Sequence, residues 1–439
     1  MIDRTIKRFQ EMKELHSKYF PFYREHLLSA KKRVKDKLIQ RMLNDFVVNK
    51  IGFRPGIRAY IFRTMWKLLE LKENDTLFHL CASIEMQLGQ TYSYNVGADN
   101  KAGYSGDNKK VAFETANQML NIHKDFVYKI PQLDLSQKKA IWNIFEKIYK
   151  VFYTGQVFDT LINLYPNLNK PINDILKSTD DKNFSDKFGF HFSYKNRVAS
   201  LLKREIINLI TLENFLWQRT YGINANMIEC YPYIIRVINP RITKEKILNL
   251  SRYGRYYGLA MMIINDIQDF SLDLVGEKYP TREKKKEDVF NDVKNKKITW
   301  PILYGLKSWN YEAIRKIEKI YKDPKNVIIQ EDFREYLVKS GLIERTLLEA
   351  TTYASISTDF LKTFSKNDHR ENLEDISISI CKNSKYVKSL SERYKTKIKI
   401  RESQVKARKE ILKQYLQNNS KLLLRPFKKF LIINNEQIL

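Results

Sequence analysis

Residues 258–269 read Gly-Leu-Ala-Met-Met-Ile-Ile-Asn-Asp-Ile-Gln-Asp, an apolar run that ends in acidic residues. The run is too long and too uninterrupted for a surface strand, and it predicts a buried helix. Asn265, Asp269 and Asp273 share one face of that helix because they lie four residues apart, and Asp266 lies beside them. Since a buried carboxylate without a partner is unfavourable, acids at such a helix end need a positive partner.

Oxygen atoms grouped on one helix face point to a hard cation as that partner. Carboxylate and amide oxygens are the ligands that Mg²⁺ prefers in proteins. We therefore predict a magnesium site formed by Asn265, Asp266, Asp269 and Asp273. The alternative is a solvated helix end on which the acids align by chance.

The composition favours an all-α protein. The 439 residues include only 14 Gly and 11 Pro, and apolar residues recur at helical spacing. We expect one large helical barrel or bundle over residues 49–375, with an insertion at about 166–200. Basic helical extensions are expected on either side of it, over 1–48 and 376–439, the first of them interrupted near Pro21.

The formal net charge of +28 predicts an anionic partner: nucleic acid, a membrane surface or a diphosphate. Nucleic acid is the least favoured, since no nucleic-acid-binding motif accompanies the charge. Cys81, Cys230 and Cys381 are far apart, which argues against a disulfide framework and fits a reducing compartment. The chain opens without the apolar run of a signal peptide and contains no membrane-spanning run. We expect a cytoplasmic protein, with or without peripheral membrane contact.

Several motifs, taken in chain order, resemble the isoprenyl diphosphate synthase and terpene synthase superfamily. Residues 254–270 resemble its second aspartate-rich motif, with Asn265-Asp266-Ile-Gln-Asp269 in place of Asp-Asp-x-x-Asp. The other matching pieces are Arg54-Pro55, Gly155-Gln156-Val157-Phe158-Asp159, Arg219-Thr220 and Lys297-Ile298-Thr299-Trp300-Pro301. The order and spacing of these pieces over roughly 50–375 are more specific than any one of them.

The resemblance implies an isoprenoid synthase fold, an isoprenyl diphosphate substrate and ionisation of that diphosphate. In such chemistry Mg²⁺ on carboxylates, with Lys and Arg on the phosphate oxygens, stabilises the leaving group. The aspartate-rich row would then hold Mg²⁺, while Arg219, Thr220 and Lys297 would act on the diphosphate. The remaining substrate contacts would come from Arg54, Gln90, Gln156 and Asp159. Members of this superfamily usually dimerise, so a homodimer or heterodimer is expected.

Each charged residue of this set also has a plainer interpretation. Arg219 could belong to a structural ion pair, Asp159 could be a solvated helix residue, and Lys297 could be an ordinary basic residue before a helix. Their joint agreement with one cavity favours the functional interpretation.

The chain departs from the superfamily at its first aspartate-rich motif. Gly97 and Ala98 stand where two aspartates are usual, Asp99 is a remnant, and the paired arginines are absent. Ile51 stands where a lysine usually contacts isopentenyl diphosphate. Two hypotheses follow: a divergent enzyme that uses mainly the second motif, or a non-catalytic regulatory subunit that pairs with an active synthase.

The C-terminal segment is strongly basic. Residues 381–439 hold sixteen Lys and Arg against four Glu. One interpretation is a surface for a membrane or an acidic partner. The other is a helix with a solvated basic face that packs on the main domain.

Overall fold

The computed structural model describes residues 2–44, 56–98, 109–163, 213, 216–271, 290–295, 297–308, 310–382 and 384–418. Across these ranges every regular element is helical and no strand occurs, which confirms the all-α prediction. None of the helices in these ranges combines the length and the apolarity that a bilayer crossing needs. Arg54, Asp273 and the predicted insertion lie outside the described residues.

The helices are α1 (Ile2–Lys31), α2 (Lys37–Met42), α3 (Ile57–Leu68), α4 (Asp75–Ala98), α5 (Lys109–Tyr128), α6 (Leu135–Asn163), α7 (Asn226–Ile238), α8 (Lys244–Gln268), α9 (Asn291–Lys294), α10 (Trp300–Lys307), α11 (Tyr311–Lys322), α12 (Val327–Lys339), α13 (Leu342–Leu361), α14 (Asp368–Lys382), α15 (Lys385–Arg393) and α16 (Glu402–Asn418). A π-helix, Tyr221–Ala225, follows the helical turn 216–220 and leads directly into α7.

α1 continues through Pro21, so the predicted interruption there is wrong. Leu15, Tyr19, Tyr23 and Leu27 follow at four-residue spacing and are all buried. A proline inside a helix removes one backbone hydrogen bond and costs roughly 3 kcal/mol. Burial of a large apolar side chain contributes about 1.5–3 kcal/mol, so four on one face outweigh the proline. α1 thereby contributes to the main hydrophobic core.

α8, the buried helix that the sequence predicts, passes through two hydrophobic cores. Its first half contributes Ile247, Leu250 and Tyr253 to a core shared with α1 and α3–α7. Its second half contributes Ile263 and Ile267 to another core, built largely with α10–α13. The acids at the end of α8 therefore lie beside the second core.

Two glycines let α8 touch the segment that precedes it. A Cβ atom on Gly254 would fall 2.6 Å from the carbonyl oxygen of Ile228, and one on Gly258 would fall 2.4 Å from Cα of Ala225. Asn224 of the π-helix also donates its side-chain N–H to the carbonyl oxygen of Gly258, at 3.0 Å. This contact fixes the π-helix, and the turn 216–220 before it, on the second half of α8.

The described part of the basic C-terminal extension is docked on the rest of the chain. Arg408 of α16 donates two hydrogen bonds to Glu349 of α13, at 2.8 and 3.2 Å. Lys409 pairs with Asp359 of α13 at 2.5 Å. These pairs match the packed-helix interpretation, while membrane contact stays a prediction. The predicted domain boundary at residue 375 falls within α14.

Glu85, a residue of α4, directs its buried carboxylate at the N-terminus of α3. Its Oε1 accepts a hydrogen bond from the backbone N–H of Ala59, at 3.3 Å. Burial raises the pKa of Glu85 from 4.5 to about 7, although Arg58 and the Ala59 N–H both act to lower it. The folded chain therefore holds a proton on Glu85 at a pH where the unfolded chain has lost it.

The variant Gly258→Ala tests the contact between α8 and the π-helix. Alanine in a helix is normally favoured over glycine by about 1 kcal/mol. Here the added methyl group would meet backbone atoms, and we expect the free energy of unfolding in urea to fall by about 1–3 kcal/mol. The control is Gly305→Ala, in which the atom nearest to the added methyl group is the side-chain tip of Ile317 at 3.0 Å. Because a side-chain tip can move more easily than backbone, this variant should lose less stability than Gly258→Ala. Equal changes in the two variants would contradict the packing argument.

A second prediction concerns pH and Glu85. As pH rises from 4.5 towards 7 the unfolded chain releases this proton first, so stability contributed by the group is lost across that window. Because of this group, the free energy of unfolding of the unmodified chain should fall by about 2 kcal/mol between pH 5 and pH 7.5. In Glu85→Gln we expect this fall to be absent. Urea unfolding at both pH values measures this. The control Glu25→Gln, at an exposed position, should show the same fall as the unmodified chain. A fall of the same size in Glu85→Gln would show that Glu85 is not its cause.

Candidate functional site

Four predicted site residues meet in one buried group, which we call the ionic cluster: Asp159, Arg219, Asp266 and Lys297. They come from α6, the turn 216–220, α8 and the segment before α10. Each is at most 4% exposed, and Asp266 is fully buried. Elements far apart in the chain therefore converge here.

Arg219 is the centre of the ionic cluster. Its Nη1 and Nη2 donate to Oδ2 and Oδ1 of Asp266, both at 3.0 Å. Its Nε lies 2.7 Å from Oδ1 of Asp159, and Nη2 lies 3.8 Å from Oδ2 of Asp292. The planar guanidinium suits such paired contacts, because its N–H groups form a fixed fork that matches a carboxylate.

Lys297 completes the cluster from the opposite side of Asp159. Its Nζ pairs with Oδ2 of Asp159. Its backbone is held as well, because the Lys297 N–H donates to the carbonyl oxygen of Asp292 at 2.8 Å and the Tyr321 hydroxyl donates to the Lys297 carbonyl oxygen. The lysine is therefore fixed by α11 and by the segment around α9.

The N-terminus of α10 supplies another partner for Asp266. The backbone N–H of Trp300 donates to Oδ2 of Asp266 at 3.0 Å. The indole N–H of Trp300 donates to the Thr220 hydroxyl at 3.1 Å, and that hydroxyl donates to the Leu216 carbonyl oxygen at 2.7 Å. In this arrangement the Thr220 hydroxyl donates its hydrogen to a backbone carbonyl of the preceding turn and does not direct it at a ligand.

The electrostatics of the cluster follow from its burial. Burial raises the pKa of Asp266 to about 6, Arg219 and the Trp300 N–H act to lower it, and Asp292 acts to raise it. Burial opposes the charge on Arg219, but Asp266, Asp159 and Asp292 outweigh it and raise the pKa of the guanidinium. Arg219 therefore stays charged.

The predicted metal ligands that the structure describes differ in their surroundings. Asn265 is exposed, whereas Asp266 and Asp269 are buried. Asp269 is the C-terminal cap of α8, and its Oδ1 accepts the Asp292 N–H at 3.3 Å. The fourth member of the row, Asp273, lies outside the described residues.

These acids do not fit a magnesium site in this arrangement. Both oxygens of Asp266 accept hydrogen bonds from protein donors. Among the residues described, no three His, Cys, Asp or Glu side chains are grouped as metal ligands. Magnesium binding therefore stays a prediction, and a cation would have to displace Arg219 from Asp266.

The predicted substrate residues on α4 and α6 form a polar seam between these helices. Gln90 donates to the Tyr153 hydroxyl at 2.6 Å. Gln156 donates to Oδ1 of Asn95 at 2.5 Å, one helical turn before Asp159. Both glutamines are buried, and these side-chain N–H groups are directed at protein acceptors.

The position of the missing first motif is filled by packing. Gly97 is buried, and a Cβ atom on it would lie 3.2 Å from the ring of Phe113. A carboxylate at this position would need the ring to move. Asp99, the remnant acid, lies outside the described residues.

Three partners of the cluster were not among the predicted site residues: Asp292, Trp300 and Tyr321. Asp292 is an acid in the charged loop five residues before Lys297, and Trp300 lies inside the motif that contains Lys297. Their positions next to Lys297 in the sequence could therefore have identified Asp292 and Trp300 as candidates. Tyr321 comes from a helix with no motif, and only the fold brings it to Lys297.

Comparison with known proteins gives relatives of one kind. No protein family model matches the chain. Over 159 residues, 36% of this chain and 34% of the relative, it is 26% identical to solanesyl diphosphate synthase 3, chloroplastic/mitochondrial, of Arabidopsis thaliana. Over 126 residues, 29% of this chain and 35% of the relative, it is 27% identical to a prenyl transferase of Cyanophora paradoxa. The chain thus matches about a third of the length of each curated relative.

Solved structures share the fold more widely. The decaprenyl diphosphate synthase of Rhodobacter capsulatus covers 86% of this chain and 98% of its own, with a TM-score of 0.58 at 13% identity. A polyprenyl synthase of Caulobacter crescentus, solved with calcium and isoprenyl diphosphate, covers 83% and 97%, with a TM-score of 0.55 at 15% identity. These matches confirm the resemblance that the sequence motifs indicated, and the solved structures show that the chain shares the all-α fold of polyprenyl diphosphate synthases.

The variant Arg219→Ala tests the ionic cluster. It leaves Asp159 and Asp266 buried without the cation they share, and we expect the free energy of unfolding at pH 7.5 to fall by roughly 3–5 kcal/mol. Arg219→Lys should recover part of the loss, since it keeps the charge but not the fork. The exposed Arg315→Ala on α11 is the control and should change stability by less than about 0.5 kcal/mol. A loss in Arg219→Ala no larger than that of the control would show that the cluster is not structural.

Proposed function

We propose that this protein works in prenyl chain formation as a non-catalytic regulatory subunit that pairs with an active prenyl diphosphate synthase. The observation that carries the proposal is the closed ionic cluster. Arg219 and Lys297, the cations assigned to the diphosphate, are paired with Asp159 and Asp266. The fold of the superfamily is retained while its charged groups satisfy one another.

The physical argument concerns the leaving group. An allylic diphosphate leaves only when its developing charge is stabilised by preorganised positive groups. In this chain those cations are already neutralised in a site with little access to water, so a diphosphate would have to break buried ion pairs before it was stabilised. Gly97, packed against Phe113, removes the first motif as a substitute.

A partner chain is part of the proposal. The relatives and the shared fold support a place in prenyl diphosphate synthesis, and an inactive subunit can act there only by shaping an active one. A heterodimer in which the partner supplies the catalytic acids meets this need.

A divergent Mg²⁺-dependent prenyltransferase or terpene synthase is the second candidate, and one observation favours it. Three carboxylates, Asp159, Asp266 and Asp292, contact the two cations Arg219 and Lys297. A fourth, Asp269, accepts the backbone N–H of Asp292, which gives the group a formal charge of −2 when all are ionised. A divalent cation would offset that excess. On this candidate, binding of metal and substrate would open the cluster.

The deciding experiment measures diphosphate release. The purified chain is incubated with geranyl, farnesyl or geranylgeranyl diphosphate and Mg²⁺, with and without isopentenyl diphosphate. We expect no release above background from the chain alone. Release that disappears in Asp266→Ala but persists in Arg315→Ala would establish the catalytic candidate instead.

The subunit proposal predicts an effect on a second protein. Addition of the chain to a catalytic polyprenyl diphosphate synthase from the same organism should change its rate or its product length, and the two should co-elute in size-exclusion chromatography. The effect should survive the exposed Arg315→Ala, which leaves the ionic cluster intact. Absence of both co-elution and any change in product would reject the subunit proposal.

A further inference from the structure

A basic pocket lies on the C-terminal side of the fold, and it shares no residue with the ionic cluster. Its volume is about 650 Å³, and its lining is Glu344, Lys397, Lys399, Arg401 and Gln404. Pockets of roughly 300–1,000 Å³ are the usual size for small-molecule sites. Three cations against one carboxylate leave a formal charge of +2.

The three cations alternate along the irregular segment 396–401 between α15 and α16. Lys397, Lys399 and Arg401 are exposed, while the residues between them, Ile398 and Ile400, are partly buried against the second core. The apolar residues thus anchor the segment and direct the cations outward on one side. The charges are therefore collected at one place and not spread around a helix.

Both ends of this segment are fixed by hydrogen bonds. At the start, the Thr396 N–H donates to the Ser391 carbonyl oxygen at 3.1 Å, and the Ile398 N–H donates to the Ser391 hydroxyl at 3.4 Å. At the end, the Arg401 N–H donates to Oε1 of Gln404 at 2.8 Å. A fixed backbone lowers the entropy lost when a ligand binds.

The pocket cations differ from other cations of the same extension. Arg393 and Arg408 pair with Glu331 and Glu349. Within the part of the chain that the structure describes, the ion pairs found include none for Lys397, Lys399 or Arg401. Grouped cations on a fixed segment, facing a pocket, are what an anionic ligand requires.

We propose that this pocket binds a phosphate-bearing dianion, presented either by a soluble diphosphate or by the headgroup of an anionic lipid. Lys397, Lys399 and Arg401 bind the phosphate oxygens, and Gln404 holds the backbone of Arg401 in place. The site is independent of the proposed function, because it uses no residue of the ionic cluster. Nucleic acid is not the favoured ligand, since the lining contains no aromatic side chain on which a base could stack.

The test compares two triple variants of the full chain. The pocket variant carries Lys397→Gln, Lys399→Gln and Arg401→Gln. The control carries Lys382→Gln, Lys385→Gln and Lys388→Gln, which removes the same charge from exposed positions of α14 and α15. Inorganic pyrophosphate binding is measured by calorimetry, and lipid binding by co-sedimentation with phosphatidylcholine vesicles with and without phosphatidic acid.

We expect the pocket variant to bind at least about tenfold more weakly, because each lost charged hydrogen bond is worth a factor of this order. The control should bind as the unmodified chain does. Loss of pyrophosphate binding assigns a soluble ligand, and loss confined to phosphatidic acid vesicles assigns a lipid headgroup. Equal weakening in both triple variants, no weakening in the pocket variant, or no binding of the unmodified chain to either probe would overturn the proposal.

A charge-preserving variant separates the ligand site from a folding defect. Lys397→Arg with Lys399→Arg should retain binding, and circular dichroism should show unchanged helicity in all variants. Loss of binding in this double variant, with helicity intact, would also count against the proposal.

Discussion

The bidentate pair between Arg219 and Asp266 is the interaction on which the functional half of this fold depends. A guanidinium buried this completely needs carboxylates on more than one edge, and it finds Asp266, Asp159 and Asp292 on three different segments. Asp159 and Asp266 are in turn buried and need the cation, while Asp292 is half-buried. The positions of α6, α8 and the segment before α10 are therefore coupled through one side chain, and none can shift without exposing an unpaired charge.

Much of this arrangement could be predicted from the sequence, and one part could not. The apolar run 258–264 and its acidic end indicated a buried helix with a charged partner, and the order of motifs placed Asp159, Arg219 and Lys297 near it. The plainer interpretation of Arg219 as an ion pair describes its observed contacts. Spacing along a chain shows which residues share a face, but it does not show which of two facing charges will neutralise the other.

Asn265 and Asp266 lie in different surroundings although they are neighbours in the chain. Adjacent residues of an α-helix point about 100° apart, and Asp266 faces Arg219 while Asn265 is exposed. Spacing therefore groups residues by helix face, but it does not show which of them the rest of the fold covers. The role of Asn265 as a metal ligand stays a prediction.

The π-helix has a consequence for how this chain tolerates changes in length. Its wider turn holds one more residue than an α-helical turn, so the residues before and after Tyr221–Ala225 are offset by about 100° from the positions a continuous α-helix would give them. A deletion of one residue there would restore a regular helix and, while α7 kept its packing, would leave Arg219 facing Asp266. A further inserted residue would instead rotate Arg219 by about 100° away from Asp266. The wide turn is therefore a place where this segment can lose one residue and keep the buried guanidinium opposite its carboxylates.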